Sequence, residues 1–346
     1  MLSRGGHEYW RSSKSADLAI SSKRKYLEIV QKLDELLKAL HSRGHVGLEI
    51  VRGPSFIFTG TGRAGSTWFF EILQEHPEVF LPANKGTFFF TRWYDRGVDW
   101  YEAFFPIRHN GKVVGEVCED YLCSGEALAR IKAHWPDMRL ICCLRNPYER
   151  ALSAWHFFRR NGLALPTLAA QGECRPEVFY MGHYASQLKV VRSLFPEDQL
   201  LIFLFDELKS APENVVVRLY RFIGVDPQFV PPSLHSRINA NDEPRSRLLA
   251  RIVHDLHMHS WGRSRIASNL IGTVKHIRPL RRLIKNVLYK RQSQYDQWTK
   301  HIAEFPVEVI ARYEHEISDL EKMLGRDLAH WHAPSHLIPE QVKRTG

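Results

Sequence analysis

Ser55-Phe56-Ile57-Phe58-Thr59-Gly60-Thr61-Gly62-Arg63-Ala64-Gly65-Ser66-Thr67-Trp68 decides the fold. Its opening residues are apolar without alternation, as expected of a strand buried on both faces. Gly60 and Gly65 bracket a loop, and a helix is expected over residues 66–75. The rest of the chain repeats this alternation. Strands are expected at 112–118, 139–144 and 200–205, with a short extended piece at 79–81. Helices are expected at 125–134, from Pro147 to about Arg160, at 182–195, and from Pro212 to Ile223 with Gly224 as the stop. The pattern predicts an α/β fold with a P-loop-like central parallel sheet flanked by helices. Ligands in such folds sit where strands end and helices begin.

Outward from this core the pattern weakens. Residues 1–15 read as a loose tail and 16–42 as an amphipathic helix. Ile29, Leu33, Leu36 and Leu40 approximate a heptad seam, so a homodimer through this helix is one reading and packing on the core the other. Residues 46–331 are expected to form the main domain, ending in an amphipathic helix over 306–324, with a tail at 332–346. Residues 240–300 carry no recognisable motif. Within them, 262–293 holds nine Lys or Arg and no Asp or Glu, suggesting a solvated face, a lid or an acceptor-binding segment.

The loop itself is the first chemical signal. The spacing of Gly60 and Gly65 lets backbone N–H groups converge on one anion, with the helix N-terminus behind them. A nucleoside triphosphatase loop would continue Gly-Lys-Ser/Thr, its lysine on the outer phosphates and its hydroxyl on magnesium. Here Gly65 is followed by Ser66 and Thr67, and the cation is Arg63, inside the loop. That excludes a standard ATP or GTP site and keeps an anion site with two hydroxyl donors. Strand 139–144 ends in a second signal. Leu144-Arg145-Asn146-Pro147-Tyr148-Glu149-Arg150-Ala151-Leu152-Ser153 places an arginine fork, suited to a terminal phosphate, eight residues before a serine.

Together these motifs resemble those of sulfotransferases that use 3′-phosphoadenosine 5′-phosphosulfate (PAPS). Arg63 to Trp68 resembles that family's Lys-Ser-Gly-Thr-Thr-Trp motif for the 5′ phosphosulfate. The resemblance implies that Gly62, Arg63, Ala64, Gly65, Ser66 and Thr67 hold that end of the nucleotide, with Trp68 near the adenine. Arg145 and Ser153 would bind the 3′ phosphate, without a metal. Arg63 stands where the family has lysine. It keeps the charge that stabilises a leaving phosphate but is no proton donor. Phe179 to Gly224 and Leu320 to Trp331 resemble the carbohydrate and bacterial branch. The implied activity is transfer of a sulfuryl group to a hydroxyl or amine, on a carbohydrate or glycolipid.

The acceptor must lose a proton, and the base is open. Related enzymes carry a carboxylate in a segment ending in two aromatics. Here that segment is Pro82-Ala83-Asn84-Lys85-Gly86-Thr87-Phe88-Phe89-Phe90, without a carboxylate. Lys85 could serve as a base if desolvated or beside another cation, or as a clamp on the sulfonate. Glu116, at the end of strand 112–118, is the second candidate, either as base or as a partner of Arg63. His183 and Asp120 follow. Arg150 could touch ligand or make a structural salt bridge.

Composition bounds the rest. The chain has 346 residues, 44% hydrophobic and 25% charged, with a formal net charge of +10. That surplus favours anionic partners. Five cysteines, with no Cys-x-x-Cys pair, and the polar residues 1–14 point to a cytoplasmic protein without zinc. No run of about eighteen apolar residues predicts a membrane span. Two rival readings are a magnesium-dependent small-molecule kinase with a degenerate loop and a non-catalytic polyanion-binding protein. Nucleic acid is not expected as partner, because 262–293 lacks interleaved aromatics.

Overall fold

In a computed structural model of the protein, residues 53–105 (Asn84 aside), 112–236, 242–244, 289–291 and 298–338 are described. Five parallel strands form the central sheet: β1 (Phe56–Gly60), β2 (Val79–Phe80), β3 (Val113–Val117), β4 (Arg139–Leu144) and β5 (Leu200–Leu204). Their order across the sheet is β2-β3-β1-β4-β5. β1 is therefore central, with Ile57 opposite Glu116 of β3 on one side and Leu140 of β4 on the other. The strand order reverses at β1, which makes its C-terminal end the crevice where such sheets take ligands.

The unalternating apolar strands follow from burial on both sides. Leu140, Cys142 and Leu144 of β4 face a layer made by α3 (Gly125–His134), α4 (Pro147–Arg160), α7 (Tyr184–Leu194) and α10 (Val307–Leu324), while Ile141 and Cys143 face the opposite one. That opposite layer is α1 (Ser66–Glu75) and α9 (Pro212–Ile223), which bury Phe69, Leu73, Val216, Leu219 and Ile223. Gly115 of β3 lies under the Phe56 ring, so closely that a Cβ there would sit 2.1 Å from it. Any other residue would displace that ring from the core.

Each expected strand and helix within the described residues is present, several with the expected ends and the others shifted by one or two residues. Phe205 does not extend β5 but opens α8 (Phe205–Ser210). The Leu204 N–H donates to Glu207 Oε2 (2.7 Å), which ends the strand's ladder. Gly182 and His183 precede α7 rather than belonging to it. Three further short helices, α2 (Val98–Glu102), α5 (Leu168–Cys174) and α6 (Glu177–Tyr180), carry no sequence period long enough to announce them. β6 (Asp242–Pro244) and β7 (Tyr289–Arg291) form an antiparallel pair within the stretch that offered no motif. Residues 332 and 333 are packed rather than loose: His332 Nδ1 lies 2.6 Å from Glu314 Oε2, and the Ala333 N–H donates to Glu314 Oε1 (3.0 Å). The helix expected at 16–42, its dimer seam and most of the basic stretch 262–293 lie outside the described residues. Among the described residues no helix is long and apolar enough to cross a membrane.

Candidate active site

The loop after β1 is pinned from both sides. The Thr61 N–H donates to the Cys143 carbonyl of β4 (3.1 Å), and the Gly62 N–H donates to the Glu119 carbonyl beyond β3 (3.1 Å). Gly65 then turns the chain into α1 with φ 91°, a left-handed conformation that glycine adopts without Cβ strain. A Cβ there would meet Leu208 Cδ2 at 2.8 Å. The helix begins with no side-chain cap and no acidic residue in its first turn. Its leading N–H groups and positive dipole end thus suit an anion. Ser66 Oγ accepts a hydrogen bond from Lys85 Nζ (3.0 Å), which brings the 82–90 segment over the loop. These donors fit a phosphate. Trp68, expected beside an adenine, is instead packed in the layer of α1 and α9, its indole N–H donating to the Leu234 carbonyl (3.0 Å).

The second motif is brought to the same place. Asn146 caps α4, its Oδ1 accepting from the N–H groups of Tyr148 (3.0 Å) and Glu149 (3.3 Å). This fixes Arg145 at the strand end, 3% exposed. Arg145 Nη1 donates to the Arg63 carbonyl (3.1 Å), Nε donates to Glu149 Oε2 (3.0 Å), and the guanidinium lies 4.7 Å from the Phe205 ring centre. Tyr184 donates its hydroxyl to the Arg145 carbonyl (2.7 Å). Arg63, with φ 72°, turns its Nε to Ser153 Oγ (3.3 Å) and its guanidinium over the Phe157 ring. The two motifs, 90 residues apart at this contact, therefore form one cationic cradle across the ends of β1 and β4. Arg150 points elsewhere: it is buried and its guanidinium donates to the Val178 carbonyl.

The acidic groups divide by surroundings. Glu116 does not pair with Arg63. It is 1% exposed and accepts from the Thr87 N–H (2.6 Å), the Tyr101 hydroxyl (2.7 Å) and the Tyr121 hydroxyl (3.3 Å). Burial pushes its carboxyl above the usual carboxylate range. Asp120 is likewise raised by burial and accepts from Thr91 Oγ1 (3.2 Å), Arg92 Nη2 (3.4 Å) and Cys118 Sγ (3.2 Å). His183 lies against Tyr313, and burial lowers its pKa. Lys85 stands beside a carboxylate rather than a cation, its Nζ 3.1 Å from Glu119 Oε2. Glu119 was missed in the sequence. The only signal was an acidic residue in the turn that follows a strand end. Among the described residues no group of three or more His, Cys, Asp or Glu could hold a metal ion.

The family profile described as "Sulfotransferase domain" matches residues 54–240, just over half of the chain. The chain is 28% identical over 201 residues to human heparan sulfate glucosamine 3-O-sulfotransferase 6, covering 54% of this chain and 58% of that protein. It is 29% identical over 205 residues to human bifunctional heparan sulfate N-deacetylase/N-sulfotransferase 3, covering 51% of this chain and 23% of that protein. The chain thus spans about half the length, or less, of these curated relatives. A solved sulfotransferase from Alicyclobacillus acidocaldarius superposes with a TM-score of 0.56 at 22% identity, over 81% of this chain and 99% of that one, a likeness of fold. Both phosphate-type motifs fall inside the matched span, and on that match this chain belongs to the sulfotransferase family.

Proposed function

We propose that the protein transfers a sulfuryl group from PAPS to a hydroxyl, or an amine, of a carbohydrate or glycolipid. The observation that carries the reading is the contact of Arg63 with Ser153, which joins a 5′ anion loop to a 3′ phosphate motif in one cradle. Residues 62–67 would hold the 5′ phosphate through the uncapped start of α1 and the hydroxyls of Ser66 and Thr67. Arg145 and Ser153 would hold the 3′ phosphate, the guanidinium fork matching its oxygens. When bound, the nucleotide supplies a sulfonate activated by a phosphate leaving group. Arg63 and Lys85 place fixed positive charge where that phosphate gains charge, and neither needs to move a proton to do so. Glu116 holds Thr87 and Tyr101 and so positions the segment that carries Lys85.

A carbohydrate acceptor is supported by the heparan sulfate for which the human relatives are named and by the net charge of +10, which favours anionic partners. The test is calorimetric titration with 3′,5′-bisphosphoadenosine (PAP), followed by transfer from labelled PAPS to a panel of sugars and phenols. Binding is expected unchanged when magnesium is chelated. Absence of both PAP binding and transfer would overturn the reading, and loss of nucleotide binding on chelation would favour a kinase.

A further inference from the structure

The 82–90 segment supplies no carboxylate to the acceptor side of the loop, so the proton acceptor must come from another element. Three carboxylates sit at or just past the end of β3, and their surroundings separate them. Glu116 is sealed under Thr87, Tyr101 and Tyr121, 1% exposed. Asp120 is 14% exposed in its side chain and is occupied by Thr91, Arg92 and Cys118. Glu119 differs from both. Its side chain is 26% exposed, so an acceptor can reach it. Its Oε2 has no aligned hydrogen-bond donor, although it is buried; its near neighbour is Lys85 Nζ at 3.1 Å. The Lys85 ammonium covers the buried Oε2, so an incoming acceptor proton meets the carboxylate from its exposed part.

Its place relative to the loop is fixed twice. The Glu119 carbonyl accepts from the Gly62 N–H (3.1 Å), and its side chain covers the bare face of Gly62, where a Cβ would lie 3.6 Å from Glu119 Cγ. Lys85 spans the gap, with Nζ 3.0 Å from Ser66 Oγ and 3.1 Å from Glu119 Oε2. The carboxylate thus stands two hydrogen-bond lengths from a hydroxyl of the anion loop, on the side of the missing family carboxylate.

Resting on the sulfotransferase reading above, we propose that Glu119 is the general base of this enzyme, with Lys85 as the cation that bridges it to the phosphate loop. The acceptor O–H proton passes to the Glu119 carboxylate as the acceptor oxygen bonds to sulfur. The sulfur–oxygen bond to the 5′ phosphate breaks, and its electron pair stays on that phosphate beside Lys85 and Arg63. The proton leaves Glu119 to solvent through its exposed side. The groups acting on Glu119 are Lys85 from the 82–90 segment and Cys118 and Asp120 from its own turn.

The test compares wild type with Glu119→Gln and Glu119→Asp in full-length protein, reading PAP affinity by calorimetry and transfer from labelled PAPS across pH. Glu119→Gln is expected to lower kcat by about 10²- to 10⁴-fold and to remove the acidic limb of the kcat/KM profile. PAP affinity is expected to stay the same or tighten by a few fold, because a negative charge beside an anion site is gone. Glu119→Asp is expected to keep the acidic limb at a reduced rate. Transfer by Glu119→Gln within a few fold of wild type would overturn the proposal. So would a fall in PAP affinity that matches the fall in rate, which would mark a structural role. If wild type itself neither binds PAP nor transfers, it is the sulfotransferase reading that fails.

Discussion

At the scale of single residues, the cradle is a set of committed side chains. Arg145 is held by Glu149 and the Phe205 ring, and it reaches the Arg63 carbonyl. Such pre-positioning spares a phosphate-binding fork most of its ordering cost. Arg145→Ala is expected to weaken PAP binding by about 10- to 100-fold, or about 1.5–3 kcal/mol for a hydrogen-bonded charge, by calorimetry. Arg145→Lys is expected to recover only part of this, since an ammonium cannot grip two oxygens in the guanidinium's planar geometry. Arg63, Ser66, Arg145 and Ser153 were legible as a set because residue type and spacing carry their chemistry. Glu116 and Glu119 were not distinguishable in that way. Both are acidic residues near a strand end, and only their neighbours tell a sealed carboxylate from an open one. Trp68 was misplaced for a related reason. An apolar ring with one donor suits a ligand or a core, and the Leu234 carbonyl claims it for the core.

At the scale of elements, the turn from β4 to α4 does most to set the site. Asn146 caps α4 through Tyr148 and Glu149, while its Nδ2 donates to the Trp331 carbonyl (3.1 Å). Asn146→Ala removes the cap and leaves that carbonyl short of a donor. It is expected to lower stability by about 1–2 kcal/mol in urea denaturation, and PAP affinity should fall with it as Arg145 loses its fixed position. The C-terminal clasp on α10 adds a pH dependence. His332 lies between Glu314 (2.6 Å) and Glu321 (3.3 Å), and the Glu314 carboxylate beside it raises its pKa above the usual histidine value. The folded state then binds more protons than the unfolded chain between the ordinary and the raised value. The clasp's contribution is therefore complete below the ordinary value and lost as pH rises through the raised one. Thermal midpoints measured across neutral pH are expected to fall with rising pH in this window, and His332→Gln should flatten that part of the curve. The elements' existence was readable from period and punctuation. Their ends were readable where a proline or glycine marks them, as at Pro147 and Gly224, but not at β5, because Phe205 continues an apolar strand in sequence yet opens a helix once Glu207 takes the Leu204 N–H.

At the scale of the whole molecule, the span that matches the family and the span that folds are different. The match ends at residue 240. One face of the sheet is nevertheless closed by residues beyond it: Ile310, Tyr313, Ile317 and Leu320 of α10, and Trp331, are all buried. Burying five such side chains contributes on the order of 10 kcal/mol, as much as the net stability of an ordinary domain. A chain truncated after residue 240 is therefore expected to lose cooperative unfolding and PAP binding together, as measured by circular dichroism melts and calorimetry. Taken by itself, the sequence determined the α/β class, the glycine loop and its lack of the triphosphatase lysine, and the spacing of Arg145 and Ser153 on which the proposed second phosphate site rests. These rest on local rules: hydrophobic period, glycine spacing and residue chemistry. The tertiary structure decided that Arg63 meets Ser153, that Glu116 is sealed while Glu119 stays open, that Lys85 faces a carboxylate, and that Trp331 closes the fold over Asn146. Each of these pairs residues far apart in the chain or depends on which side chain faces water, and neither is written in a local pattern.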